Sequence, residues 1–183
     1  MPNINFQRRK IITSGIVALG ASCFPSLAMA ALVQNKPREL VLNNLHTGEI
    51  LHSQYFDGNN YLTSELNKLN HICRDFRQNE MIDMDKQLFD QITAIQEIIG
   101  SKAQVQIISG YRSPATNHML STKSSAVAKK SNHMLGKAMD FRLEGVPLIE
   151  VRKVALSLKA GGVGYYPKSD FLHIDTAQFR SWG

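Results

Sequence analysis

The apolar residues of this chain change their period near residue 100, and that change restricts the fold. Leu62, Leu66, Leu69, Ile72 and Phe76 recur at intervals of three and four, as do Leu88, Ile92, Ile95 and Ile99. Such spacing puts one apolar stripe on each of two helices. Thr63 or Ser64 offers the first helix an N-cap, and Gly100 ends the second, because glycine adopts the left-handed C′ conformation at little cost. Ahead of them "LVLNNLHTGEILHSQYF" alternates about His46-Thr47-Gly48 and predicts a β-hairpin. Beyond residue 100 the runs are short and strand-like: "VQIISGYR", Asp140 to Leu143, "GGVGYY" and "FLHIDT". The last two are joined by a turn at Pro167-Lys168-Ser169. Pro147 opens a further helix carrying Leu148, Val151, Val154 and Leu158. These elements predict an α+β domain, with helices packed on one side of a mainly antiparallel sheet. Segment 112–132 is rich in Ser, Thr, Asn and Lys and reads as a long exposed loop with one helical turn.

With 183 residues and 43% apolar content, the chain has room for a single core. Residues 1–30 read as an export signal, with a basic start at Arg8-Arg9-Lys10, an apolar centre from Ile11 and small residues at Ala28-Met29-Ala30. Cleavage after Ala30 is expected. The Arg8-Arg9 pair points to the twin-arginine route, with the general secretory route as the alternative, and the expected destination is the periplasm. The apolar centre falls short of the roughly 20 residues that a span requires, so no stable membrane span is expected after cleavage. Residues 31–39 form a polar lead-in and 40–183 the folded domain. Arg8, Arg9 and Lys10 account for three of the 21 basic residues and none of the 15 acidic ones. The rest of the chain therefore carries a surplus of only three positive charges, with no basic run, and nucleic acid is excluded as a partner. A mildly positive surface suits an anionic polymer. Cleavage would also remove Cys23. Cys73 would then stand alone in an apolar pattern, a small buried hydrophobe with no disulfide partner.

The stretch "SNHMLGKAMDF" sets His133 and Asp140 seven residues apart. With His173 they form a candidate metal-ligand set, since imidazole nitrogen and carboxylate oxygen are ordinary zinc donors. A catalytic zinc site uses three protein ligands and leaves a fourth position to water. Gly136 permits a tight turn between the two ligands, and Ala138 leaves space beside an ion. The same spacing is compatible with a surface histidine and a turn aspartate that never meet. No Ser, Cys or Thr triad stands out, and Ser109 and Ser131 are expected to bond backbone. "GGVGYYP" lacks the lysine of a phosphate loop, so its glycines read as sites of close strand packing. Tyr165 and Tyr166 alternate faces, which places one of them along a groove.

The pattern S-x-H-x-x-G-x-A-x-D in "SNHMLGKAMD" resembles that of the zinc peptidases related to VanX and the D-Ala-D-Ala carboxypeptidases. "SGYRS" upstream and a strand-borne His173 downstream follow that family's order. More narrowly, "LNNLHTGE", "ISGYRSPATN" and "AGGVGYYPKSDFLHIDT" are similar to the YcbK-like murein endopeptidases, from about residue 38 to the end. The resemblance implies an exported, zinc-dependent endopeptidase that hydrolyses amide bonds in the peptide cross-links of peptidoglycan. It implies one Zn²⁺ held by His133, Asp140 and His173, with peptide stems as the partner. A non-catalytic peptidoglycan-binding domain that keeps this fold is the alternative. Arg112 takes the place of the arginine that binds the substrate carbonyl; otherwise it pairs with an acid such as Asp140 or Asp175. Asp170 stands where related peptidases carry an acid, three residues before the last ligand, and is the candidate general base. Asp175, two residues after His173, points to the same strand face, and either orients His173 or acts as the base itself.

Overall fold

In the computed structural model, which describes residues 36–124 and 127–183, the strands join into one seven-stranded sheet. The expected export signal and residues 31–35 of the lead-in lie outside the described residues. The strands are β1 (Arg38–Asn44), β2 (Ile50–Phe56), β3 (Val105–Ser109), β4 (Ala138–Leu143), β5 (Gly162–Tyr166), β6 (Phe171–Asp175) and β7 (Arg180–Trp182). They lie in the order β2-β1-β3-β4-β6-β5-β7. Neighbours run antiparallel except β1–β3 and β5–β7, so the sheet is mixed, with antiparallel pairing in the majority. The lead-in is shorter than expected, because Arg38 and Glu39 already belong to β1.

Four α-helices are present among the described residues: α1 (Thr63–Ile72), α2 (Lys86–Ile99), α3 (Pro114–Lys123) and α4 (Leu148–Leu158). The stripe on α2 is buried through Leu88, Phe89, Ile92 and Ile95. Asp85 caps its start by accepting from the Gln87 amide at 3.1 Å, and Gly100 closes it at φ +72°. On the same sheet face α4 buries Val151, Ala155 and Leu158. Both pack on Leu42, Val105, Ile107, Phe141, Leu172 and Ile174. Each fully buried side chain of this size stabilises the fold by about 1.5–3 kcal/mol, and truncating Phe141 to Ala would cost about 3–5 kcal/mol.

Three local expectations need correction. Helix α1 is capped by Leu62 with no side-chain bond, not by Thr63 or Ser64, because Thr63 is already helical. It ends at Ile72, so Phe76 lies past it and stacks on His46, with ring centroids 4.4 Å apart. Segment 112–132 contains a ten-residue helix, α3, where one turn was expected. Its start is chemically clear: Ser113 Oγ accepts from the Thr116 amide at 3.2 Å, and Pro114 sits at the first helical position. Cys73 is buried as expected, and burial pushes its thiol up to about 12, which disfavours the nucleophilic thiolate.

Strand alternation then sorts the two faces. Met139, Phe141 and Leu143 of β4, with Leu172 and Ile174 of β6, enter the core. Asp140 and Arg142, with Phe171, His173 and Asp175, therefore occupy the opposite face. The β4–β6 register pairs Asp140 directly with His173.

Candidate metal centre

His133 arrives from a short 3₁₀ turn, Asn132–Leu135. Ser131 Oγ caps that turn by accepting from the His133 amide at 3.3 Å. Gly136 ends it at φ +66°, where a Cβ would also press within 2.6 Å of the Asp83 carbonyl. Only glycine fits both demands. The chain then turns straight into β4, which brings the His133 ring over Asp140.

The three expected ligand residues meet. His133 Nε2 lies 3.2 Å from Asp140 Oδ1 and 3.2 Å from His173 Nδ1, and His173 Nδ1 lies 2.8 Å from Asp140 Oδ1. They are buried, with 2%, 4% and 9% of His133, Asp140 and His173 exposed. Their ligand atoms all fall within 4.8 Å of one another. Each imidazole also has an outer partner. His133 Nδ1 donates to the Gly110 carbonyl at 2.7 Å, and His173 Nε2 faces Asp175 Oδ2 at 3.3 Å. With those protons committed outward, His133 Nε2 and His173 Nδ1 turn lone pairs toward the shared centre, as metal-binding histidines do.

The two imidazoles differ in their electrostatics. Burial holds the His133 ring below its ordinary value, against the pull of Asp140. Burial acts the same way on His173, but the Asp140 and Asp175 carboxylates outweigh it and raise that ring. For Asp140 burial is opposed by both imidazoles, which together hold its carboxyl far below the usual carboxylate range.

Arg112 stands beside this centre. Its Nη2 pairs with Asp140 Oδ2 and donates to His133 Nε2 at 3.3 Å, while Nε donates to Ser109 Oγ at 2.8 Å. The pairing with Asp140 is one of the two arrangements anticipated for this residue. Ser131 bonds backbone as expected, but Ser109 Oγ receives the Arg112 side chain. The two further acids are placed differently. Asp170 ends the turn before β6 at φ +51°, with its side chain 62% exposed and bonded to Arg142 at 2.8 Å. It borders a neighbouring hollow with Gln106 and Glu144, although Ser169 and Phe171 on either side of it line the metal cleft. Asp175 is fully buried, and its carboxyl is held well below the usual range: burial would raise it, but hydrogen bonds from His173, Arg180 and two backbone amides prevail.

The cleft over the ligands encloses about 370 Å³. Tyr166 lines it, stacked on Phe171 at 4.5 Å, while Tyr165 faces away and carries Arg152 over its ring at 4.7 Å. Among the cleft residues that were not anticipated are Asn132, Arg180 and Trp182. Asn132 Nδ2 donates to Asp175 Oδ2 at 3.1 Å, and Trp182 lies tilted against His173 with centroids 5.3 Å apart. A larger cavity, about 560 Å³, lies between β1, β2 and the end of α2. The His133, Asp140 and His173 cluster does not border it.

The peptidase M15_2 family, described as peptidoglycan L,D-endopeptidase MepK, matches residues 32–182. The chain belongs to this family. It is 51% identical to the peptidoglycan L,D-endopeptidase MepK of Escherichia coli (strain K12) over 182 residues, covering all of both chains. It is 42% identical over 183 residues to the probable peptidoglycan L,D-endopeptidase MepK of Haemophilus influenzae, covering all of this chain and 98% of that protein. No solved structure matches the chain significantly.

Proposed function

We propose that this chain is an exported zinc metallopeptidase that hydrolyses an L,D amide bond in the peptide cross-links of peptidoglycan. One observation carries the proposal: three candidate ligand atoms converge at 2.8–3.2 Å beside Arg112, under a cleft of about 370 Å³. Full-length relatives named peptidoglycan L,D-endopeptidase supply the substrate class.

The donor set fits zinc. Zinc bonds of about 2.0–2.2 Å at tetrahedral angles separate the ligand atoms by about 3.3–3.6 Å. The two separations from His133 Nε2, 3.2 Å each, lie close to that range, and His173 Nδ1 and Asp140 Oδ1, at 2.8 Å, would have to part by about half an ångström. Two imidazoles and one carboxylate are borderline donors of the kind zinc accepts, and both imidazoles have their outer protons fixed. When bound, zinc supplies Lewis acidity and acidifies a water to near neutral pKa.

The rest falls to the chain. Arg112 offers guanidinium donors toward the substrate carbonyl oxygen as that oxygen gains charge during attack, and Ser109 fixes the Nε end of the fork. Tyr166, Phe171 and Trp182 give the cleft an aromatic lining. For proton removal the candidate is Asp170, by its place three residues before His173. Asp175 has both oxygens engaged by the Gly162 amide and Arg180, whereas Asp170 is exposed in the turn between two cleft residues, Ser169 and Phe171, and its use requires release of Arg142. Export rests on Arg8-Arg9 and Ala28-Met29-Ala30, which support delivery to the periplasm and a mature chain beginning at Ala31.

Digestion of purified sacculi and of defined L,D- and D,D-linked muropeptide dimers tests the proposal. The L,D-linked dimer is cleaved, a chelator stops cleavage and zinc restores it. Binding to sacculi with no new amine termini would instead identify a non-catalytic peptidoglycan-binding domain. Mass spectrometry of the periplasmic fraction should find Ala31 as the first residue, and Arg8→Lys with Arg9→Lys should block export. A full-length exported species contradicts the cleavage site.

A further inference from the structure

Strand β7 is only three residues long and lies at the sheet edge, yet both of its large side chains turn onto the metal cleft. It pairs with β5 in the register Gly162↔Arg180 and Gly164↔Trp182. A Cβ on Gly162 would stand 2.6 Å from Arg180 Nη1 and from Asp175 Oδ2, and one on Gly164 would stand 2.6 Å from the Trp182 indole. The two glycines therefore leave the spaces that the guanidinium and the indole fill.

Arg180 closes on the carboxylate beneath it. Nη1 donates to Asp175 Oδ1 at 3.1 Å and Nη2 to Oδ2 at 2.5 Å, a two-point contact that fixes the carboxylate plane. The Gly162 and Ala177 amides donate to Oδ1 at 2.9 and 3.0 Å, and Asn132 donates to Oδ2. With every other direction occupied, Oδ2 is held facing His173 Nε2. Trp182 completes the frame, lying against the His173 ring with its indole N–H anchored on Tyr166 Oη at 2.9 Å. The imidazole is gripped along one edge by Asp175 and across one face by Trp182, and only Nδ1 is left toward Asp140 and His133.

We infer that β7 is a working part of the metal site: Arg180, acting through Asp175, and Trp182 are positioning residues for His173. This rests on the reading of His133, Asp140 and His173 as metal ligands. Outer partners of metal-bound histidines are worth about 10–100-fold in affinity or activity, so an arginine well past His173 in the chain acquires a measurable role.

The test uses the mature chain in three forms: wild type, Arg180→Ala and Arg180→Lys. Zinc affinity is read by competition with a chromophoric chelator, and ligand geometry by the visible bands of the cobalt-substituted protein. Arg180→Ala should bind zinc about 10–100-fold more weakly, shift the cobalt bands, and lower kcat with little change in KM. Arg180→Lys should fall between, because it keeps the charge and loses the fork. Trp182→Phe should shift the bands less, since a ring still covers His173. Wild-type zinc affinity and cobalt bands in Arg180→Ala overturn the inference. Should that variant fail to fold, the same wild-type values in Arg180→Lys overturn it. A wild-type chain that takes up no metal overturns the ligand assignment itself and this inference with it.

Discussion

Two buried clusters of charged side chains among the described residues are built on opposite plans. In one, Asp90 of α2 gathers donors: Arg38 pairs with Oδ1, Tyr55 donates to Oδ1 at 3.1 Å and Tyr61 to Oδ2 at 2.5 Å. Phe56 covers the Arg38 guanidinium, 3.7 Å from its ring centroid. That carboxylate has its donors within the protein and ties β1, β2 and α2 together. In the other, His133, Asp140 and His173 turn three lone-pair-bearing atoms toward one point, with Arg112 as the neighbouring donor. On the proposed reading such a set holds a shared cation. Burial of charge is common to both clusters; the direction of the lone pairs separates a structural clamp from a site.

The sharpest way to break this comparison is to delete the central acid of each cluster. Asp140→Ala should abolish stoichiometric zinc and turnover while the domain stays folded. Asp90→Ala should cost about 3–5 kcal/mol of stability, because it leaves the buried Arg38 uncompensated, yet its folded fraction should keep zinc. Metal analysis and urea melts on the same preparations check both. Retained zinc and turnover in Asp140→Ala would erase the distinction.

Within the site, the acids rank next. Asp170→Asn should lower turnover about 10²–10⁴-fold with zinc retained, the usual range for general base catalysis. Asp175→Asn should cost about 10–100-fold, spread over metal affinity and activity. If Asp170→Asn behaves as wild type while Asp175→Asn is inactive with its zinc in place, the two roles exchange. Arg112→Ala should lose about 10²–10³-fold in kcat with metal content unchanged. Arg112→Lys should recover part of that, since one ammonium cannot reproduce the guanidinium fork.

The smallest effect belongs to the structural cluster. Burial and the bond to Asp90 raise the Tyr61 phenol to about 12 from its ordinary 10.0. A raised folded-state value means that the protonated phenol contributes stability, fully present below pH 10 and lost as pH climbs toward 12. Melting temperatures from pH 9 to 12 should therefore fall more steeply in wild type than in Tyr61→Phe, which lacks the titrating group. Parallel curves would detach Tyr61 from the clamp.

Much of the fold is legible in the sequence where side chains repeat with a period. Helix α2 is readable from Leu88 to its Gly100 cap, and the β1–β2 hairpin from its alternation about Thr47-Gly48. Helix α3 is not, because Pro114–Lys123 carries no apolar stripe; only Ser113 and Pro114 mark its start. Strand β7 is too short to show any period, which hides Arg180 and Trp182. The parallel join of β1 to β3 depends on a crossover through two helices that no local pattern encodes. The ligand trio came from motif resemblance, since spacing alone left His133 and Asp140 free never to meet. Their meeting depends on the β4–β6 register, in which Asp140 faces His173.

The most direct measurement is an anomalous difference map at the zinc edge, from crystals of the mature chain grown with one equivalent of zinc. The account predicts a single dominant peak about 2.0–2.2 Å from His133 Nε2, Asp140 Oδ1 and His173 Nδ1. An empty centre, or a dominant peak bound elsewhere with Arg112 still seated on Asp140, would contradict it.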